Sequence, residues 1–300
     1  MKKIIKSSFG ESPKSKPVIS VNNVLLFFLL IAMTATAQEK LTTGPKNGAL
    51  VIVGGGRVVD TILKRYVELA GGLDAPMVVI PTAGGGDTYG QDYYFAKQLK
   101  EFGVKKVTVL HTYDKEEADT ETFTEPLLDA KAVWFGGGRQ WRLVDAYQGT
   151  KTEQLIQEVL NRGGVIGGSS AGATIQGSYL ARGDTENNQI MMGDHEEGFG
   201  FIKNIAIDQH VMARNRQFDM FEIIREKPEL LGIGIDERTA IVVQGDIFEV
   251  IGQGKVLIYD GTFWSKEGSA LKKLPPKDYL FYALQMKDRY NLKERKVATE

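Results

Sequence analysis

Five short apolar runs, most of them leading into glycines, constrain this chain more than any other feature. They are ALVIV (49–53), PMVVI (76–80), VKKVTVL (104–110), AVWF (132–135) and GVIGG (164–168). Runs this short and this rich in β-branched residues suit strands covered on both faces. Between them lie RVVDTILKRYVELAG, DYYFAKQLKEFG and GTKTEQLIQEVLNRGG, which are amphipathic and close on glycine as helices commonly do. The alternation predicts an α/β fold, a doubly wound and mostly parallel sheet. Residues 230–261, LLGIGIDERTAIVVQGDIFEVIGQGKVLIYDG, read as several short strands with Gly-Asp and Gly-Gln turns, forming an antiparallel edge to the same sheet. The final stretch, KDYLFYALQMKDRYNLKERKVATE, starts with helical periodicity and ends charged. One domain over residues 48–290 accounts for all of this, and 42% hydrophobic residues in a chain of 300 supply a sufficient core.

The first forty residues follow a different rule. Lys2, Lys3, Lys6, Lys14 and Lys16 precede the apolar run VLLFFLLIAM (24–33), and Ala35-Thr36-Ala37 offers the small-residue pattern of a signal-peptidase site. The run is short for a membrane span. A signal peptide over 1–37 is therefore expected, with a mature start near Gln38, export to the periplasm or beyond, and no membrane attachment after cleavage.

Cysteine is absent, which removes disulfides, a lipoprotein anchor and every cysteine-nucleophile mechanism. The chain carries a net charge of −1, and the leader holds five lysines against Glu11, so the remainder is near −5. Such a balance gives no electrostatic footprint for nucleic acid.

Chemistry concentrates in GGVIGGSSAGATIQGSYLA, where a strand runs through Gly167-Gly168-Ser169-Ser170-Ala171-Gly172 into a helix-forming segment. This is a G-x-S-x-G pattern fixed by Gly168, Ser170 and Gly172. A nucleophile elbow forces its central residue into a strained conformation, and larger side chains two positions away would collide. Ser170 is thus the candidate nucleophile, lifted toward the positive end of the following helix.

A serine hydroxyl needs a base, and the chain has only His111, His195 and His210. His210 stands at the end of an alternating apolar run in NIAIDQHVMARNR, where an α/β fold displays its site residues, and is the preferred base. His111 and His195 sit in contexts equally suited to surface histidines. The orienting acid should come from Asp236 or Glu237 in LGIGIDERTAIVV; adjacent strand residues face opposite ways, so one of the two serves. Gly136, Gly137 and Gly138 follow another strand, where backbone N–H groups can receive an oxyanion. The glycines after ALVIV do not form a dinucleotide fingerprint, because the third position falls on Val59, and no Walker loop is present. Both VIVGGGRVVD and IPTAGGGDTYG read as tight turns lining the same sheet edge. The chemistry calls for no cofactor and no metal.

Taken together, VIVGGGR, IPTAGG, FGGGRQ, GGSSAGA, the GFGFI before IDQH, and GIGIDERTA resemble the cyanophycinase family of serine peptidases, relatives of dipeptidase E. The likeness runs from about residue 48 to about 260, in matching order and spacing. It implies the class I glutamine amidotransferase-like fold, a three-layer αβα arrangement. It also implies Ser170 as nucleophile, His210 as base and Glu237 as the orienting acid. Gly137 and Gly138, with Ala171, would surround the oxyanion, and Gln140, Asp208 and Arg214 would help hold the substrate. Two departures stand out. Arg139 occupies a position that is commonly acidic in the family, and Asp219 follows Arg214 and Arg216 where a third arginine is usual. Both weaken the case for cyanophycin itself, the arginine-decorated poly-aspartate. The expected substrate is a peptide or isopeptide bond next to aspartate, cleaved without a metal by an enzyme that could be a homodimer. An exported aspartyl dipeptidase and a binding protein without turnover are the alternatives.

Overall fold

The computed structural model describes residues 43–260, the strand residues 262–263 and 272–273, and residues 280–298. The expected signal peptide lies outside the described residues.

In chain order the elements are β1 (Ala49–Val53), α1 (Asp60–Leu69), β2 (Met77–Ile80), α2 (Tyr94–Phe102), β3 (Val107–Val109), α3 (Glu121–Asp129), β4 (Ala132–Phe135), α4 (Trp141–Tyr147), α5 (Lys151–Asn161) and β5 (Val165–Ser169). Then come α6 (Ala171–Thr174), β6 (Gly177–Tyr179), β7 (Ile202–Gln209), α7 (Met220–Glu226), β8 (Leu231–Ile235), β9 (Thr239–Gln244), β10 (Ile247–Gly252) and β11 (Val256–Tyr259). The strands β12 (Thr262–Phe263), β13 (Lys272–Lys273), β14 (Tyr282–Leu284), β15 (Arg289–Asn291) and β16 (Lys296–Val297) complete the series.

The main sheet has nine strands in the order β16-β15-β10-β9-β1-β5-β4-β2-β3. Its half from β1 to β3 is parallel, and β9 joins β1 antiparallel. Every residue of β1, β2, β4 and β5 is buried, so both faces need cover. On one face, Ile62, Leu63 and Tyr66 of α1 and Phe95 and Leu99 of α2 pack on Val51, Val53, Val79 and Trp134. Phe95 stacks on Trp134 at 3.9 Å while Tyr66 meets that indole edge-on at 5.1 Å. On the other face α3, α4 and α5 contribute Leu127, Leu143, Tyr147, Ile156 and Leu160 against Leu50, Ile52, Val133 and Phe135. Each such side chain, fully buried, contributes about 1.5–3 kcal/mol. Helix ends follow local chemistry: the Thr120 hydroxyl accepts from the Phe123 N–H at the start of α3, and Gly103, with φ 111°, closes α2.

Two expectations need correction. Strands β9 and β10 do extend the main sheet antiparallel, but β8 and β11 join a second sheet of order β14-β11-β8-β7-β6, in which β6, β7 and β8 are parallel. In this sheet Ile233 and Ile235 of β8 join the core shared with the main sheet, while a methyl at Gly232 would lie 2.6 Å from Met220 Cγ. Only glycine lets α7 approach that face. The C-terminal segment is also strand and not helix from β14 onward. Tyr282, Leu284 and Tyr290 are buried at strand spacing, and both tyrosine hydroxyls donate to Asp260 Oδ2, at 2.9 and 2.8 Å.

The registers Val53 with Ser169, Phe135 with Gly168, and Gln209 with Ile235 bring the carboxyl ends of β1, β5, β4, β7 and β8 to level positions. The glycine turns after β1, β4 and β5 leave from these ends.

Candidate active site

Ser170 follows β5 with φ 59°, a left-handed conformation that side chains other than glycine rarely adopt. The flanking glycines explain how it fits. A methyl at Gly168 would stand 2.5 Å from the Gly172 carbonyl carbon, and one at Gly172 would stand 2.7 Å from that of Phe135. The helix after the turn, α6, has only four residues, so it supplies first-turn N–H groups and little macrodipole.

The Ser170 hydroxyl lies 2.9 Å from His210 Nε2, and His210 Nδ1 lies 2.7 Å from Glu237 Oε1. His210 is 5% exposed. Burial lowers its pKa below the ordinary imidazole value, and the positive charges of Arg214 and Arg216 push the same way, against the opposing pull of Glu237. These effects favour the neutral imidazole, the form able to accept a proton.

The choice between Asp236 and Glu237 falls to opposite faces, as adjacent strand-end residues should. Glu237 meets the imidazole, whereas Asp236 Oδ1 accepts the N–H groups of Met212 and Ala213 at 3.2 and 3.0 Å. The other two histidines are engaged elsewhere. His111 Nδ1 pairs with the Thr82 hydroxyl at 2.8 Å, and His195 bridges Asp145 and Asp194, both at 2.9 Å.

What sequence reasoning missed is the part played by the first glycine turn. Consecutive carbonyls of Val53, Gly54 and Gly55 accept the N–H groups of Ser170 (3.1 Å), His210 (2.8 Å) and Arg238 (2.9 Å). These three donors have φ of 59°, 56° and 56°. One three-residue segment thus holds the backbone strain at the ends of β5, β7 and β8. Gly55 also lies against the imidazole: a methyl there would come within 2.5 Å of Nδ1 and 2.7 Å of Nε2. Gly56 borders Glu237 in the same way, 3.1 Å from Oε2.

Of the residues expected around an oxyanion, Gly137 borders the hydroxyl directly, since a methyl on it would lie 3.9 Å from Ser170 Oγ. Ala171 opens the first turn of α6. Gly138, with φ 143°, instead packs on the backbone of Ala83 and Gly84.

Of those expected to hold substrate, Arg214 is exposed and close enough for its charge to act on His210. The other two have internal partners. Gln140 is buried and its Nε2 donates to the carbonyls of Ala181 (2.6 Å) and Arg182 (2.8 Å). Both oxygens of Asp208 accept from Arg182. Arg182 was not singled out in the sequence.

The arrangement is that of a hydrolase whose serine hydroxyl can be deprotonated by a neutral, carboxylate-backed imidazole. The family model described as Peptidase family S51 matches residues 50–251, and the chain belongs to that family, a serine-type peptidase. Among its relatives is a cyanophycinase of Geminocystis herdmanii (strain PCC 6308), 34% identical over 240 residues, covering 77% of this chain and 88% of that protein. A cyanophycinase of Trichormus variabilis is 28% identical over 282 residues, 88% of this chain and 92% of its own length. Among solved structures, a peptidase from an acI-B1 Actinobacterium superposes with a TM-score of 0.61 at 25% identity, covering 83% of this chain and 98% of its own.

Proposed function

We propose that this chain is a cyanophycinase-like serine peptidase that hydrolyses peptide or isopeptide bonds next to aspartate through Ser170, His210 and Glu237. The observation that carries the reading is the unbroken relay from Ser170 Oγ to His210 Nε2, at 2.9 Å, and from Nδ1 to Glu237, at 2.7 Å. Ser170 Oγ attacks the scissile carbonyl carbon while His210 Nε2 takes its proton. Glu237 accepts the Nδ1–H hydrogen bond and stabilises the imidazolium. The backbone at Gly137 and the Ala171 N–H border the place where the oxyanion forms. Collapse of the tetrahedral adduct breaks the C–N bond, and His210 returns its proton to the departing amine. Water then attacks the acyl ester with His210 again as base, releasing a carboxylic acid and restoring the serine. Arg214, exposed and positively charged, would meet a substrate carboxylate.

The test is Ser170→Ala against a panel of aspartyl peptides and β-linked aspartyl isopeptides. Turnover is expected to fall by roughly 10⁴ or more with unchanged thermal unfolding; undiminished hydrolysis would refute the assignment. We further propose export by cleavage after Ala37, which N-terminal sequencing of the mature protein checks: a start at Gln38 supports it, and an intact Met1 opposes it.

A further inference from the structure

The glycine turn after β2, in IPTAGGGDTYG, has no part in the reaction above, yet it adjoins the turn that borders the serine. Along the carboxyl ends of the parallel strands, Ser170 follows β5, Gly137 follows β4, Gly85 follows β2 and Tyr113 follows β3. The first three are in continuous contact: a methyl on Gly137 would lie 3.9 Å from Ser170 Oγ, and one on Gly84 would lie 3.7 Å from the Gly137 carbonyl oxygen. Beyond them is a cavity of about 310 Å³ lined by Gly85, Tyr113, Trp141, Arg142 and Asp145.

Gly85, with φ 82°, makes room for the charge in this cavity. The space where a Cβ would stand is taken by the Arg142 guanidinium, whose Cζ would be 2.7 Å and whose Nη2 would be 2.9 Å from such an atom. Arg142 Nη1 donates to the Ala83 carbonyl at 3.1 Å, and the guanidinium lies over the Trp141 ring, 5.1 Å from its centroid. These contacts hold the group in place without neutralising it. Among the described residues no carboxylate forms a salt bridge with Arg142, and Asp145, the one carboxylate in the lining, is engaged by His195 Nε2 at 2.9 Å. Tyr113 is 40% exposed, but its hydroxyl donates to the Thr82 carbonyl at 3.0 Å and its ring meets His111 edge-on at 4.8 Å. The cavity thus combines one uncompensated positive charge with two aromatic walls held in place. Such a site suits a carboxylate on a short aliphatic stem and repels an ammonium or guanidinium.

We propose that this cavity is a subsite for a carboxylate of the peptide substrate and that Arg142 is the residue that selects it. The inference rests on the Ser170 reading and adds a second point of recognition to it. Neighbouring strands lie about 4.8 Å apart, so the Gly85 turn stands two strands, roughly 10 Å, from the serine, and an extended peptide advances about 3.4 Å per residue. The carboxylate accordingly belongs to the second or third residue from the scissile bond, as a side chain or as the chain end.

The test uses the full protein and aspartyl peptides that carry Glu, Gln or Lys at the second or third residue on either side of the scissile bond, each as the free acid and as the C-terminal amide. A side-chain carboxylate in the subsite appears as Glu over Gln among the amides, and a chain-end carboxylate as free acid over amide among the Gln peptides. At one position or more, kcat/KM should favour the carboxylate by about fivefold or more, chiefly through KM, with Lys below Gln and with the preference shrinking as salt is raised. Arg142→Met should bring that ratio to about one, while a merely structural role would depress all the peptides together and keep the ratio. Wild-type protein that cleaves Glu, Gln and Lys peptides alike, and free acids and amides alike, overturns the proposal whether or not Arg142→Met folds, and leaves the Ser170 reading standing. So does a folded Arg142→Met that keeps the wild-type ratio. Cleavage of none of the peptides, with Ser170 unacylated by any of them, overturns the peptidase reading and this inference with it.

Discussion

Replacing Gly55 with alanine separates the glycine turn's role at the site from its role in the fold. The backbone cost comes first: φ is 129°, which alanine adopts only with strain of about 1–3 kcal/mol. Overpacking adds a similar amount, because the methyl would sit 2.5 Å from His210 Nδ1 with the ring enclosed by protein. Against a folding free energy of roughly 5–15 kcal/mol, the variant should still fold. At about 2–4 °C per kcal/mol for a domain of this size, thermal unfolding reports the loss. The catalytic loss is larger in proportion. To clear the methyl the imidazole must move by about an ångström, and such a displacement costs on the order of 10² in rate, approaching 10⁴ if the base is lost altogether. Gly71→Ala is the matched control: its φ is 101°, yet nothing lies within 4 Å of the added methyl. It should lose stability from backbone strain alone and keep wild-type kcat/KM. Equal kinetics for Gly55→Ala and Gly71→Ala, both folded, would refute the claim that the first glycine turn is shaped around the imidazole.

Other tests bear on the neighbours. Because burial, with Arg214 and Arg216, holds the His210 pKa below the ordinary value of about 6.5, the acid limb of kcat/KM against pH should lie below that value; Arg214→Gln should move it upward, and an unmoved or lowered limb would contradict the electrostatic account. Glu237→Gln should cut kcat by about 10²–10⁴, while Asp236→Asn, which loses only part of the cap on the 212–213 N–H groups, should cost about 1 kcal/mol in stability and leave kcat near wild type. Burial lowers the His195 pKa, but hydrogen bonds to Asp194 and Asp145 outweigh it and raise the net value. Its stabilising effect is therefore full below the unfolded imidazole pKa and fades as pH rises through the folded one; His195→Gln should unfold at lower temperature than wild type at pH 5, with the gap narrowing by pH 8.

The parallel half of the main sheet was legible because β1, β2, β4 and β5 are buried on both faces and so lose polar alternation, and because glycines follow each of these four. The elbow at Ser170 was legible for the related reason that Gly168 and Gly172 have no room for a side chain. The second sheet was not, since β8 and β9 are equally apolar and nothing in LGIGIDERTAIVV says that the chain changes sheets between Ile235 and Thr239. The tail misled because Leu280, Ala283 and Leu284 offer an i, i+3, i+4 apolar spacing, whereas the buried pair Tyr282 and Leu284 alternates as a strand does and Tyr282 shares Asp260 with Tyr290. Arg182 lay hidden for the commonest reason: a buried ion pair joins residues 26 and 37 positions apart, and no local pattern announces it.

The central claim is that Ser170 carries the acyl group. Rapid-quench mass spectrometry of the wild-type protein with a cleaved aspartyl isopeptide, followed by peptide mapping, should place an aspartyl adduct on Ser170 at the earliest times and show it decaying as product appears. An adduct on another residue, or turnover that proceeds with Ser170 unmodified throughout, would contradict the account.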